Sequence, residues 1–172
     1  MPSVLFVCTG NQFRSPVAAA CFKRLLTNQA ASKEWGVQSA GTWAIEDQPL
    51  PLEAVAAAAR LGMNLEDHRT RTISEQMLRD FDLIVVMERG QKEAIGLEFP
   101  WAGARVHLLA EMSSVQPGDI PDPNSEPADA DEILQEVCRL VQHGFARIQQ
   151  LATDMPEQRA FDNKRQSVPK RD

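Results

Sequence analysis

Tyrosine is absent from the 172 residues and cysteine is scarce. Aromatic contacts must come from seven phenylalanines and three tryptophans. The three cysteines, Cys8, Cys21 and Cys138, are odd in number and far apart. Their spacing fits neither a disulfide framework nor a zinc site, and a reducing cytoplasm is the simplest setting for them. No apolar run approaches the ~18 residues of a membrane span. The chain also lacks the charged and apolar opening of a secretion signal, so neither a span nor export is expected. Positive charge is in the minority. Lys and Arg number 18 against 24 Asp and Glu, a net charge of −6, and no basic stripe gathers. Nucleic acid is thereby set aside as a partner. Internal repeats and low-complexity blocks are missing too.

What is present is ordinary for a globular chain: 43% hydrophobic and 24% charged residues. The length suits one domain with a real core and is too short for two. That domain is expected over residues 1–154. The polar tail over 155–172 is expected to fray.

Val4 to Val7 reads as a short buried strand. Ser15-Pro16 opens a helix, and Val17, Ala20, Cys21 and Leu25 carry one apolar face to about Leu26–Gln29. Strands follow at Val37–Ala40, Leu83–Met87 and Arg105–Leu109. Helices are expected at Leu52–Leu61, ended by Gly62, at Ser74–Arg79 and at Arg89–Leu97. Residues 113–130 read as loop, with Pro117, Gly118, Pro121, Pro123 and Pro127. A long amphipathic helix then runs from Ala130 to about Leu151, marked by Ile133, Val137, Leu140, Val141, Phe145 and Ile148. Strands that are continuous apolar runs, alternating with helices, describe an α/β fold with a parallel sheet covered on both faces. Ligands of such sheets bind at the carboxyl ends of the strands. Cys8 stands at the carboxyl end of the first.

The segment after that strand is Cys8-Thr9-Gly10-Asn11-Gln12-Phe13-Arg14-Ser15-Pro16. Successive N–H groups of a strand-to-helix loop can cradle an anion, and the following helix adds its positive end. Gly10 permits unusual dihedrals, and Asn11 is one of the few residue types that tolerates the left-handed region. Arg14 offers a planar fork suited to two phosphate oxygens. The same field favours a thiolate at Cys8, to which the Ser15 hydroxyl could donate. A thiolate beneath a bound phosphate ester is an in-line nucleophile. A cysteine and an arginine six positions apart are a weak signal alone, since free cysteine is often a small core residue. The whole string with its strand and helix is far more specific.

CTGNQFRSP resembles the signature loop of the low-molecular-weight protein tyrosine phosphatases, close to C-x-G-N-x-C-R-S-P. SAGTW (39–43), DHRTR (67–71), FDLIVVME (81–88) and DIPDP (119–123) look like blocks of that family in the same order, over about residues 3–150. The resemblance implies three layers: a four-stranded parallel sheet with helices on both faces. It implies hydrolysis of phosphotyrosine in proteins through a phosphocysteine, without metal or cofactor. Phosphorylated proteins would be the partners, and inorganic phosphate or other oxyanions the product or inhibitors. It gives Cys8, Arg14 and Asp122 catalytic roles and the loop from Thr9 to Ser15 the phosphate. Asp122, between two prolines, would protonate the leaving oxygen and then serve as base for water, with Asp119 as the fallback. Ser39 and His68 would hold Asn11 and Ser15 in place. Trp43 would wall the substrate crevice, although a core or surface position suits it equally.

Three departures from the family pattern stand out. Phe13 replaces a second loop cysteine. Gln12 is neither the threonine associated with phosphoarginine nor the aliphatic residue common in tyrosine-directed members. Asn124 stands where many members carry tyrosine, leaving Trp43 or Phe13 as aromatic substitutes. Phosphoarginine hydrolysis is therefore the second reading. Arsenate reduction needs cysteines that residues 82–100 lack. A phosphate-binding module without catalysis would need neither Cys8 nor Asp122. His107, His143 and the Met87-Glu88 strand end suggest no chemistry.

Overall fold

The computed structural model describes residues 1–113, 118–124 and 129–166, the side chains of residue 32 and of residues 155–166 apart. Strand β1 (Ser3–Cys8) is buried at every residue, as a run of Val, Leu, Phe and Val between two packed layers must be. It lies between β2 (Gly36–Gly41) and β3 (Leu83–Val86), with β4 (Val106–Leu108) beyond β3. All three pairings are parallel, and Val7 sits opposite both Ala40 and Val86. The chain leaves β1 for β2 on one side and returns to β3 on the other. The end of β1 is thus where the winding reverses, which opens a crevice beyond the strand tips.

Alternation along β1 divides the core. Val4, Phe6 and Cys8 face one layer; Leu5 and Val7 face the other. The first layer holds helices α1 (Arg14–Asn28), α2 (Leu52–Arg60) and α5 (Ala130–Gln166). Its centre is Phe22, whose ring lies 5.7 Å from Phe6, 5.6 Å from Trp35 and 5.1 Å from Phe145. Opposite, Leu78 of α3 (Glu75–Asp80) and Ile95 of α4 (Arg89–Glu98) pack on Ile84 and Val86. Ser74 caps α3 by accepting from the Met77 N–H at 3.2 Å. The expected α/β layering and the four strands are therefore present.

Three differences from the sequence reading have physical causes. Cys21 and Cys138 form a disulfide with Cα atoms 5.9 Å apart, so the cysteine spacing misled. Both lie on core faces of helices, α1 and α5, that pack together, and helical facing rather than sequence distance brings them into range. The argument from the cysteines for a reducing compartment falls with it. Second, α5 continues as helix to Gln166 rather than ending near residue 151. Eight of residues 152–166 are Gln, Glu, Arg, Ala or Lys, all strong helix formers, and the helix continues through Pro156. Residues 167–172 of the expected tail lie outside the described residues, as do 114–117 and 125–128 of the proline-rich loop, including Pro117 and Pro127. Third, short 3₁₀ turns at Ser32–Glu34, Pro100–Arg105 and Leu109–Met112 carry no period long enough to be read from sequence.

Gly41, at the end of β2, joins the fold to the loop after β1. A Cβ there would lie 2.4 Å from the Thr9 carbonyl oxygen and 3.0 Å from the Asn11 nitrogen. Gly41→Ala is expected to lower the unfolding free energy in a urea titration by about 1–3 kcal/mol. An unchanged midpoint would mean that the loop yields without cost.

Candidate active site

The loop from Thr9 to Phe13 turns the chain from β1 into α1. Its pivot is Asn11, a non-glycine residue at φ 55° and fully buried. Left-handed backbone at such a residue must be held by its surroundings. The Asn11 amide is held at every hydrogen-bonding position. Nδ2 donates to Ser15 Oγ and to Ser39 Oγ, each at 3.0 Å. Oδ1 accepts from the Arg71 backbone N–H at 3.0 Å and faces His68 Nε2 at 3.2 Å. The Arg71 N–H can only donate, so it is the amide oxygen that turns toward it. His68 Nε2 must then carry a hydrogen. Gly10, by contrast, does not have positive φ, and a Cβ there would meet only the Gln12 side chain at ordinary contact distance. The unusual dihedral expected at Gly10 belongs to Asn11.

Cys8 is buried at the strand tip, with Sγ 3.0 Å from Ser15 Oγ. The single Ser15 hydroxyl hydrogen has two acceptors in range, the sulfur and the Ala40 carbonyl at 3.2 Å. Cys8 is the one free cysteine of the chain's three, since the other two are bonded to each other.

Arg14 is 1% exposed, and three hydrogen bonds hold its guanidinium. Nη1 donates to a Glu88 carboxylate oxygen and, at 2.7 Å, to the Ile120 carbonyl; Nη2 donates to Asp122 Oδ2 at 2.8 Å. A buried guanidinium demands such partners. Arg14 thereby ties the loop after β1 to the segment carrying Asp122. Asp122 Oδ1 accepts from the Asn124 N–H at 3.0 Å, which braces its carboxylate from the other side. Asp119 is turned away: its Oδ1 accepts from the Arg89 N–H at the start of α4, at 2.8 Å. That leaves no reason to keep it as the fallback.

Glu88, in the strand end that suggests no chemistry in sequence, and Gln91, which the sequence does not single out, both contact the loop or its arginine. Gln91 Oε1 accepts from the Met87 and Glu88 N–H groups at 2.9 and 3.1 Å. Its Nε2 donates to Thr9 Oγ1 at 3.1 Å. The signal available was position alone: both residues follow the tip of β3, beside the tip of β1. Trp43 is 85% exposed, which rules out a core role. Only its backbone N–H reaches the loop, donating to the Thr9 carbonyl at 3.0 Å. Phe13 is 4% exposed and packs in the core, so it supplies no crevice wall. Instead Gln12 Oε1 accepts from Asn124 Nδ2 at 3.3 Å, an amide bridge between the two loops. Among the described residues, no group of three or more His, Cys, Asp or Glu is arranged to hold a metal ion.

A family model described as low molecular weight phosphotyrosine protein phosphatase matches residues 3–160. The chain belongs to that family. It is 31% identical over 143 residues to the low molecular weight phosphotyrosine protein phosphatase of Sus scrofa, covering 80% of this chain and 89% of that one. Among solved structures, the low molecular weight protein tyrosine phosphatase from T. tengcongensis superposes with a TM-score of 0.77 at 28% identity, over 86% of this chain and 99% of the other. The YwlE arginine phosphatase, in a cysteine-to-serine mutant with a phosphorylated active site serine, gives 0.76 at 27% identity, over 88% and 97%. The family's three-layer fold and the loop at the tip of β1 are both present in this chain.

Burial, and then the adjacent Arg71, hold the pKa of His68 below its ordinary value, with smaller pushes from Lys23 and Arg69; its hydrogen bond to Asn11 opposes them. Burial and Lys92 do the same to His107. Both are thus harder to protonate folded than unfolded. The unfolded chain takes up these protons first as pH falls through about 6.5, so stability declines with falling pH below that point. His68→Gln should flatten the decline between about pH 7 and 5 in urea titrations, with His107 accounting for part of what remains. An identical slope would show that His68 does not contribute.

Proposed function

We propose that this phosphatase-family chain hydrolyses phosphotyrosine in proteins, with Cys8 as nucleophile and Asp122 as general acid. The observation that carries the reading is the Arg14 guanidinium, which spans from the Cys8 loop to Asp122. The phosphoryl oxygens of a substrate would take the loop N–H groups and the Nη2 edge of Arg14, displacing Asp122 toward the leaving oxygen. Cys8 sulfur attacks phosphorus as the phosphorus–oxygen bond to the leaving group breaks. Asp122 gives its proton to that oxygen. Water then attacks the phosphocysteine and Asp122 takes back a proton. The phosphorus–sulfur bond breaks, releasing phosphate and the thiolate. Throughout, the Ser15 hydroxyl can donate to the sulfur whenever negative charge gathers there, and Asn11 keeps the loop in shape. Positive charge comes from Arg14 and backbone amides, so the proposal includes no metal or cofactor. Oxyanions such as phosphate would act as product and inhibitor.

A second reading, phosphoarginine hydrolysis, is favoured by the Gln12–Asn124 bridge. It sets amides at the rim where an aryl leaving group would prefer an apolar wall, and the similar YwlE protein is named an arginine phosphatase. The cytoplasm is the proposed compartment, since that is where protein phosphorylation would supply substrate. The Cys21–Cys138 bridge would tend to be open there. No described helix is long and apolar enough to cross a membrane. We also propose residues 1–154 as the catalytic unit.

Cys8→Ser should reduce phosphotyrosine-peptide turnover by at least about 10³-fold while keeping phosphate binding in calorimetry; retained turnover overturns the nucleophile assignment. Asp122→Asn should slow a phenyl ester by about 10²–10⁴-fold and an activated nitrophenyl ester much less. Equal losses would move the acid role elsewhere. Phosphotyrosine and phosphoarginine peptides assayed side by side should favour phosphotyrosine, and Gln12→Thr should narrow the difference. The reverse preference in the unaltered chain would establish the second reading.

A further inference from the structure

Behind the Cys8 loop, between α1, β2 and the segment over residues 64–71, lies an open cavity of about 230 Å³. It is smaller than the ~300–1,000 Å³ typical of sites for drug-sized ligands. Lys23 enters from α1, Gln38 and Ser39 from β2, and Asn64, His68 and Arg71 from the third wall. No carboxylate lines it, although the chain as a whole carries a net charge of −6. Among the described residues, neither Lys23 nor Arg71 is paired with a carboxylate; the Arg71 guanidinium rests on the neutral Gln38 Oε1 at 2.8 Å. The cavity therefore gathers two exposed cations and a half-buried imidazole with no counterion, beside the amides of Gln38 and Asn64.

We propose that this cavity is a second oxyanion site, one that takes a small dianion and communicates with the Cys8 loop. The physical link is a continuous chain of hydrogen bonds. His68 faces Asn11 at 3.2 Å, Asn11 donates to Ser15 at 3.0 Å, and Ser15 lies 3.0 Å from the Cys8 sulfur. Ser39 belongs to both features, lining the cavity and accepting from Asn11. A dianion beside Lys23 and Arg71 cancels the positive field that disfavours the imidazolium of His68. The imidazole then takes up a proton, and its hydrogen bond to Asn11 becomes charge-assisted and stronger. The wall segment over 64–71 and the loop after β1 would be drawn together. Size and charge point to a free small dicarboxylate or phosphate-sized ion rather than a nucleotide. The inference concerns binding and holds whether or not the chain is a phosphatase.

The test is a titration of the full chain with succinate at neutral pH while saturating orthovanadate holds the Cys8 loop, with sodium chloride at matched ionic strength as control. The readouts are the ring signals of His68 and the side-chain amide signals of Asn11 by nuclear magnetic resonance. Both should move saturably with succinate and not with chloride. Lys23→Gln and Arg71→Gln should each weaken the binding by about two- to fivefold while keeping vanadate affinity. Signals that stay still, that move equally with chloride, or that respond in the two variants just as in the unaltered chain overturn the proposal. So does a response seen only without vanadate, which would place succinate in the Cys8 loop instead.

Discussion

The Asn11 side chain holds the site together. A primary amide has two donor and two acceptor positions, and all four are used. The four partners come from α1, β2 and the segment carrying His68 and Arg71, so three parts of the fold converge on one buried group. What they hold is a backbone at φ 55° that relaxes readily to other conformations in a free chain. Because the amide is buried, losing any one bond leaves one donor or acceptor position unmet, a penalty of up to about 1–3 kcal/mol. The loop's pivot is thus fixed by four side-chain hydrogen bonds.

Arg14 supplies the complementary constraint. Its burial is tolerable only because two carboxylates and a carbonyl surround it. The segment carrying Asp122 is therefore docked on the loop after β1 through Arg14. In the proposed function, binding of a dianion and repositioning of Asp122 would be one event, since the dianion and Asp122 compete for the same guanidinium edge.

Much of this was legible in the sequence because it depends on local pattern. Continuous apolar runs marked β1 and β3, and the helical spacing of Val17, Cys21 and Leu25 marked α1. Ser15-Pro16 fell in its first turn. The loop's assembly was readable because Cys8, Asn11, Arg14 and Ser15 lie within eight positions. Glu88 and Gln91 escaped because their roles come from the proximity of two strand tips, which no local period encodes. The Cys21–Cys138 pairing escaped for the same reason: it expresses which faces of α1 and α5 meet. Asp119 and Asp122 look alike in sequence and are separated only by direction, one toward the start of α4 and one toward Arg14. The burial of Phe13 was likewise invisible, because its neighbours Gln12 and Arg14 are polar side chains that carry no apolar period.

The bond between Cys21 and Cys138 encircles β2, β3 and β4 within a loop spanning 117 positions. In the chain-entropy picture, closing so long a span restricts the unfolded ensemble by about 4–5 kcal/mol. It has a topological effect as well. A protease nick anywhere inside that span leaves the two fragments covalently tethered through the packed helices. Only reduction would let them drift apart.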